Sequence, residues 1–321
     1  MVMTALRVIL TGASSFTGSH FVRALSDAGH DVVATMTRAS ADEYEGVRRE
    51  RVELVSKHAA EILWGASFGD EAFIEWIESA GMDVLCHHAA DVTDYKSDDF
   101  DYRRALSTNT RNAKRVVEAL ASNGGRALVL TGSVFEGGEG AGSEGLPHFS
   151  PYGLSKALTS HAFAFECERA GLPMGKFVIP NPFGPLEEPR FTNYLMKSWF
   201  AGETPSVRTP AYVRDNIHVD LLAKSYASFV VEASSSEGFT KLNPCGYIES
   251  QGAFAERVAR EMRTRLDMPC EVDLMEQTDF PEPRVRINTD APDARALGFD
   301  ESRAWDAFAS FYAQKFAGAK S

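Results

Sequence analysis

Short apolar runs recur along the first half of the chain, each closed by turn-forming residues and followed by a stretch with helical spacing. The run in "LRVILTGASSFTG" is followed by "SHFVRALSDAG", where Phe21, Val22 and Leu25 fall on one helix face. "HDVVATM" is the next run, so a strand–turn–helix–strand unit fills the first 36 residues. Further runs follow at "EILWG", "MDVLCHHAA", "RALVLTGSV" and "MGKFVIPN". Between them lie the helix-like stretches "DEAFIEWIESAG", "FDYRRALSTNTRNAKRVVEALASNG" and "SPYGLSKALTSHAFAFECERAG". This alternation predicts an α/β fold with a doubly wound parallel sheet, helices on both faces and right-handed crossovers.

After about Pro180 the regularity decays. "NPFGPLEEPRF", "VRTPAYVRDNIHVD", "LNPCGY" and "DFPEPRVRINTDAPDAR" read as loops around short elements. They predict a smaller C-terminal region beside the sheet, with "NIHVDLLAKSYASFVVEA" returning a helix to the main domain. "ESRAWDAFASFYAQKFA" is an amphipathic terminal helix, and Gly137 to Gly145 reads as a flexible loop able to close over a ligand.

The formal charge of −12 argues against nucleic acid or an anionic membrane as partner, so any phosphate must be met by local cations. No run approaches membrane-spanning length, and the N-terminal apolar run is too short for a secretory signal. Cys86, Cys167, Cys245 and Cys270 lack paired or zinc-ligand spacing, which suits inert thiols in the cytoplasm. His87 and His88 stand together at a strand end without partners, and read as packing residues; no metal is expected.

Two motifs carry candidate chemistry. In "TGASSFTG", Gly12 and Gly18 take the outer positions of a glycine turn and Ser15 the middle one; such a turn lets a diphosphate approach the helix N-terminus. In "SPYGLSK", Ser150 suits an N-cap and Pro151 the first helical position. Tyr152 and Lys156 then lie one turn apart at the positive end of the helix, where a phenolate is favoured. The preceding strand ends with the hydroxyls of Thr131 and Ser133, and strand ends of this kind face the ligand crevice. The competing readings are an ordinary turn and a surface helix face.

Taken in order, "TGASSFTG", "DVLCHHAA", Asn109 in "STNTRNA", "TGSVFEG", "YGLSK", "NPFGP" and "VRDNIHVDLL" resemble the motifs of the extended short-chain dehydrogenase/reductase family. This is the NAD-dependent epimerase/dehydratase family, whose members have a Rossmann-like sheet and act mostly on nucleotide sugars. The resemblance implies a dinucleotide-binding domain over residues 1–180, with 212–238 returning to it, and a mainly substrate-binding region over 181–321. It implies Tyr152 as general acid/base, Lys156 as its charge partner and holder of the nicotinamide ribose, and Thr131 as the catalytic hydroxyl, with Ser133 the runner-up. Cofactor contacts are implied for Gly12, Ser14, Ser15, Phe16, Thr17, Gly18, Ala89, Ala90, Asn109, Tyr152, Lys156 and Pro180. A substrate diphosphate would meet Asn181, Arg214 and either Arg284 or Arg286, unless Arg214 is spent on an ion pair with Asp215 or Asp220.

Members using NAD usually carry an acid at the end of the second strand; here Met36 stands there, followed by Arg38 and Ser40, which suit the 2′-phosphate of NADP(H). The family's dehydratases place Asp and Glu where this chain has Gly132 and Ser133, which argues against dehydration. The leading expectation is therefore NADPH-dependent reduction of a keto-sugar nucleotide. The alternatives are an NAD-dependent epimerase resembling UDP-glucose 4-epimerase and a redox-inactive nucleotide-binding regulator, the latter opposed by the intact Tyr152–Lys156 pair. A homodimer through helices near 101–122 and 152–170 is also implied.

Overall fold

The computed structural model describes residues 5–317. Its first half runs β1 (Arg7–Thr11), α1 (Phe16–Asp27), β2 (Asp31–Met36), α2 (Gly46–His58), β3 (Glu61–Trp64), α3 (Glu71–Ala80), β4 (Val84–His87), α4 (Tyr102–Asn109), α5 (Ala113–Ser122), β5 (Ala127–Ser133), α6 (Pro151–Ala170) and β6 (Met174–Ile179). The second half runs β7 (Asn181–Phe183), α7 (Phe191–Phe200), β8 (Ser206–Val207), β9 (Val213–His218), α8 (Val219–Ser235), β10 (Phe239–Leu242), β11 (Tyr247–Ser250), α9 (Gln251–Leu266), β12 (Asp273–Leu274), β13 (Val285–Arg286) and α10 (Glu301–Ala317).

Seven parallel strands form the main sheet in the order β10-β6-β5-β4-β1-β2-β3. Its central strands are apolar on both faces because both faces are covered. Val8, Leu10 and Val129 pack towards α1, α2 and α8, whereas Ile9, Leu85, Leu128 and Leu130 pack towards α3, α5 and α6. The chain winds outward from β1 to β3 and then crosses back to β4, so the strand order reverses between β1 and β4. In doubly wound sheets such a reversal is where the ligand crevice lies, beyond the carboxyl ends of the strands.

The returning helix α8 lies against α1, with Tyr226 stacked on Phe21 at 3.9 Å. It leads into β10, an edge strand that the sequence pattern did not disclose and that pairs with β6. The long helix expected over residues 100–124 is two helices. The Asn109 carbonyl is taken by His87 Nε2 at 3.0 Å, and Asn112 adopts a left-handed conformation with φ 51° before α5 begins. A smaller sheet of β7, β9, β11 and β13 joins helices α7, α9 and α10 around an aromatic core that includes Phe183, Phe254, Trp305 and Phe308. No helix among the described residues is long and apolar enough to cross a membrane.

The Gly137–Gly145 segment is not a free flap. Ala141 bridges to Ile287, and the buried Glu139 carboxylate takes Lys176 at 2.7 Å, Lys241 at 3.1 Å and Asn243 at 3.0 Å. Glycine-rich composition suggested mobility; tertiary ion pairs remove it.

The two halves are also joined through Arg51 of α2, a fully buried guanidinium. It donates to the Leu186 carbonyl at 2.9 and 2.6 Å and pairs with Glu188 at 2.6 Å, holding the loop after β7 against α2. Replacing Arg51 with Met should lower stability by about 2 kcal/mol, the worth of charge-assisted bonds to a buried carbonyl. The urea midpoint measures this; an unchanged midpoint would show that the strut contributes nothing.

Candidate active site

The glycine turn is shaped by close approach of backbone. A Cβ added to Gly12, whose φ is +75°, would lie 2.8 Å from the Ala89 nitrogen, and one on Gly18 would lie 2.3 Å from the Gly12 oxygen. Ser15, in the middle position, has φ −77° and ψ 167°, ordinary extended angles that cost a serine nothing. Its hydroxyl caps α1 by accepting from the Gly18 nitrogen at 3.1 Å, while Phe16 and Thr17 are buried and Ser14 and Ser15 remain partly open. The Thr11 hydroxyl accepts from the amides of His88 and Ala89 at 3.1 and 3.0 Å, tying the ends of β1 and β4 together. Ala89 and Ala90 are half-buried beside it. An open helix N-terminus walled by residues that tolerate no side chain fits a dinucleotide diphosphate.

At the end of β2, Met36 is buried and Arg38 is exposed, its guanidinium 5.1 Å over the Tyr44 ring. Ser40 is half-buried and begins a short helical turn without bonding it.

Ser150 caps α6 as expected, accepting from the Gly153 nitrogen at 3.3 Å, with Pro151 in the first turn. Tyr152 is half-buried, walled by Tyr95 and Phe100 with ring centroids 5.4 and 5.9 Å away. Burial raises its phenol above the usual tyrosine range, the Glu136 carboxylate adds to that rise, and the Arg190 guanidinium opposes it. Lys156 is almost wholly buried, and loss of hydration pulls its ammonium down to about 8 against the opposing pull of Glu136. Arg190, which no motif marks, is thus a cation that favours the Tyr152 phenolate.

Glu136 explains the glycine before Ser133. Its carboxylate accepts from the Ser133 nitrogen at 2.7 Å and from Lys176 at 2.6 Å, and a Cβ on Gly132 would lie 2.9 Å from it and 2.8 Å from Lys176 Cε. A carboxylate thus fills the space of side chain 132, but it is sealed from solvent and neutralised by a buried lysine. It cannot serve dehydration.

Thr131 is buried, with its hydroxyl 3.0 Å from His88 Nδ1; the Ser133 hydroxyl accepts from the Phe135 nitrogen at 3.2 Å. Asn109 accepts from the Asp91 nitrogen through its side chain at 2.8 Å. His87 lies 3.0 Å from the Thr11 hydroxyl and stacks on Phe68 at 3.9 Å. Both histidines thus have partners, which the sequence reading denied them, and these are hydroxyls and a carbonyl; no group of metal-binding side chains occurs among the described residues.

Beyond β7 a cleft of about 470 Å³ is lined by Phe191, Tyr194, Val207, Tyr212, Arg214 and Glu282, among others. Arg214 lies 4.4 Å over the Tyr212 ring and pairs with Glu282 at 2.9 Å. Its expected partners are occupied elsewhere: Asp215 accepts from the Gly246 nitrogen at 2.7 Å, and Asp220 pairs with Arg23. Asn181 is half-buried and donates to the Asp215 carbonyl at 3.1 Å, and Pro180 is buried just before it. Arg284 is exposed and stacks 4.0 Å from Phe280. Arg286 is buried and donates to the carbonyls of Val134 and Pro147 at 2.9 and 3.2 Å, bracing the loop after β5, while its Nε has no hydrogen-bond partner among the described residues. Glu136, Tyr95 and Arg190 escaped the sequence reading because no motif spacing marks them.

The model of the NAD dependent epimerase/dehydratase family matches residues 8–238, and the chain belongs to that family. No curated protein matches it. Among solved structures it is similar to UDP-glucose 4-epimerase of Thermotoga maritima with UDP-glucose, at 18% identity and a TM-score of 0.70, covering 97% of this chain and 99% of that one. UDP-glucose-4-epimerase of Stenotrophomonas maltophila, with NAD and formylated UDP-arabinopyranose, gives 18% identity and 0.71 over 98% and 99% of the two chains. UDP-glucuronic acid 4-epimerase of Bacillus cereus, with UDP-glucuronic acid and NAD, gives 16% and 0.70 over 97% and 100%. At these identities the likeness is one of fold.

The buried ammonium has a cost that substitution can reveal. Its folded value lies below the ordinary 10.5, so the unfolded chain binds more protons between about 8 and 10.5 and stability rises with pH across that window. Lys156→Met should abolish that rise and stabilise the cofactor-free protein near neutral pH by up to about 3 kcal/mol. Thermal melts at pH 7 and pH 10 read both effects. A destabilised variant at pH 7 would contradict the assignment.

Proposed function

We propose that this protein is a sugar-nucleotide 4-epimerase that uses a pyridine dinucleotide and handles the proton through Tyr152. One observation carries the reading: the Tyr152–Lys156 pair opens α6 beside the crevice, while the carboxylate nearest in sequence to the dehydratase positions is locked by Lys176. The solved relatives named above, all 4-epimerases of UDP-sugars, support it.

In this reading the Gly12–Gly18 turn holds the diphosphate and Lys156 the nicotinamide ribose. When bound in its oxidised form, the dinucleotide supplies a hydride acceptor and a fixed positive charge. Tyr152, as phenolate, takes the proton from the sugar hydroxyl at C4 and returns it to the same oxygen once the sugar has turned over in the site. A phenol ionises near pH ~10 when unperturbed, so the half-buried Tyr152 depends on nearby positive charge to act at neutral pH. Arg214, drawn partly from Glu282, and Asn181 would hold the substrate diphosphate, and the cleft beside Tyr212 and Tyr194 its base.

A second reading, NADPH-dependent reduction of a keto-sugar nucleotide, is favoured by Arg38. Stacked on Tyr44 and facing solvent at the β2 end, it suits a 2′-phosphate better than a bare ribose. The outward stripe of Leu154, Leu158, Ala162 and the exposed Phe165 on α6 supports a homodimer through this helix. The buried free thiols suit a reducing, cytoplasmic setting.

Tyr152→Phe should lower turnover by at least ~100-fold while leaving dinucleotide affinity nearly intact; undiminished turnover would remove Tyr152 from the chemistry. Titrating NAD+ and NADPH into wild type and Arg38→Ala separates the two readings. NAD+ bound tightly and equally by both supports the epimerase. NADPH preferred by wild type and lost in the variant supports the reductase.

A further inference from the structure

His88 lies between the cofactor turn and the candidate catalytic hydroxyl and touches both. Its Nε2 is 3.0 Å from the Ser15 hydroxyl and 3.1 Å from that of Thr17, and its Nδ1 is 3.0 Å from the Thr131 hydroxyl. The ring also packs edge-on against Phe21 at 5.1 Å, which fixes its plane. Burial, reinforced by the nearby Lys156 ammonium, pulls it down to about 3, so it is neutral and carries one ring proton.

Hydrogen-bond accounting leaves that proton two places. Ser15 uses one of its two lone pairs to accept from the Gly18 nitrogen, so towards His88 Nε2 it can donate its O–H or accept with the other pair; only the first arrangement gives its O–H an acceptor within the protein. In that arrangement Nε2 carries no proton, and the proton sits on Nδ1 and is donated to the Thr131 oxygen. Thr131 then receives a bond and keeps its O–H free to donate.

We propose that His88 is a positioning residue that fixes the Thr131 hydroxyl as a hydrogen-bond donor to the reacting sugar oxygen, with the cofactor-turn hydroxyls of Ser15 and Thr17 holding the ring in the required tautomer. The inference rests on the reading of Tyr152 and Thr131 as the proton-handling set of an epimerase or reductase. The buried Tyr226 hydroxyl, also beside Thr131, is the competing acceptor that the test must exclude.

The tautomer can be read without cofactor or turnover, from long-range nitrogen–proton correlations of protein labelled with 15N-histidine at pH 7. The His88 signals, identified by their loss in His88→Asn, should show a protonated Nδ1 and a bare Nε2; the opposite tautomer or an imidazolium overturns the proposal. In kinetics at saturating dinucleotide, His88→Phe should lower kcat at least ~10-fold with KM for the sugar nucleotide little changed. His88→Asn, which keeps a donor near Nδ1, should recover most of the loss, and His88→Gln, which reaches only the turn, should not. Adding Thr131→Val to His88→Phe should cost no more than Thr131→Val alone. Losses that multiply, a Thr131→Val enzyme with wild-type kcat, or full activity in both His88→Phe and His88→Gln would each overturn the proposal. If wild type turns over no sugar nucleotide, the proposed function fails, while the tautomer still decides the assignment of His88.

Discussion

Backbone meets backbone where β1 and β4 end, and the crevice depends on that contact. Gly12 lies against Ala89 with no room for a Cβ, and Gly18 lies against Gly12 with less. The Thr11 hydroxyl clamps the first two amides after β4. A larger residue at either glycine would push α1 off the sheet and move Ser15 and Thr17 away from His88. The geometry of the glycine turn and that of the hydroxyl at Thr131 are therefore set by one packing constraint, passed through a single imidazole.

Charge is arranged around the crevice with comparable economy. The protein buries Lys156, Lys176, Glu136 and Glu139 near the tips of β5 and β6, where isolated charges are costly. Lys176 and Lys241 together offset Glu136 and Glu139, whereas no salt bridge holds Lys156 and its ammonium is easier to deprotonate. The same network pins the glycine-rich loop.

Much of this was legible in the sequence where function is written in short spans. The glycine turn, the Ser150-Pro151 helix start and the spacing of Tyr152 and Lys156 each depend on neighbours a few residues away, and the structure forms the turn and the capped helix start that the pattern predicts. What escaped depends on contacts between distant segments. Glu136 looks like a loop residue until it fills the space beside Gly132, and the bonds of Arg286 to the Val134 and Pro147 carbonyls span 152 and 139 residues of chain. His88 had no visible partner because Ser15, Thr17 and Thr131 lie more than forty residues away in sequence. The break between α4 and α5 was hidden likewise, since it arises from a bond between Asn109 and His87.

In the proposed reading the Tyr152 phenol shuttles one proton while the sugar is oxidised and reduced within a single site. The most direct measurement is a proton NMR time course of nucleoside-diphosphate hexoses with the protein and a catalytic amount of dinucleotide. The account predicts that a C4 epimer accumulates to equilibrium with no net change in the dinucleotide's redox state. Stoichiometric oxidation of the reduced dinucleotide, or no conversion of any sugar nucleotide, would contradict it.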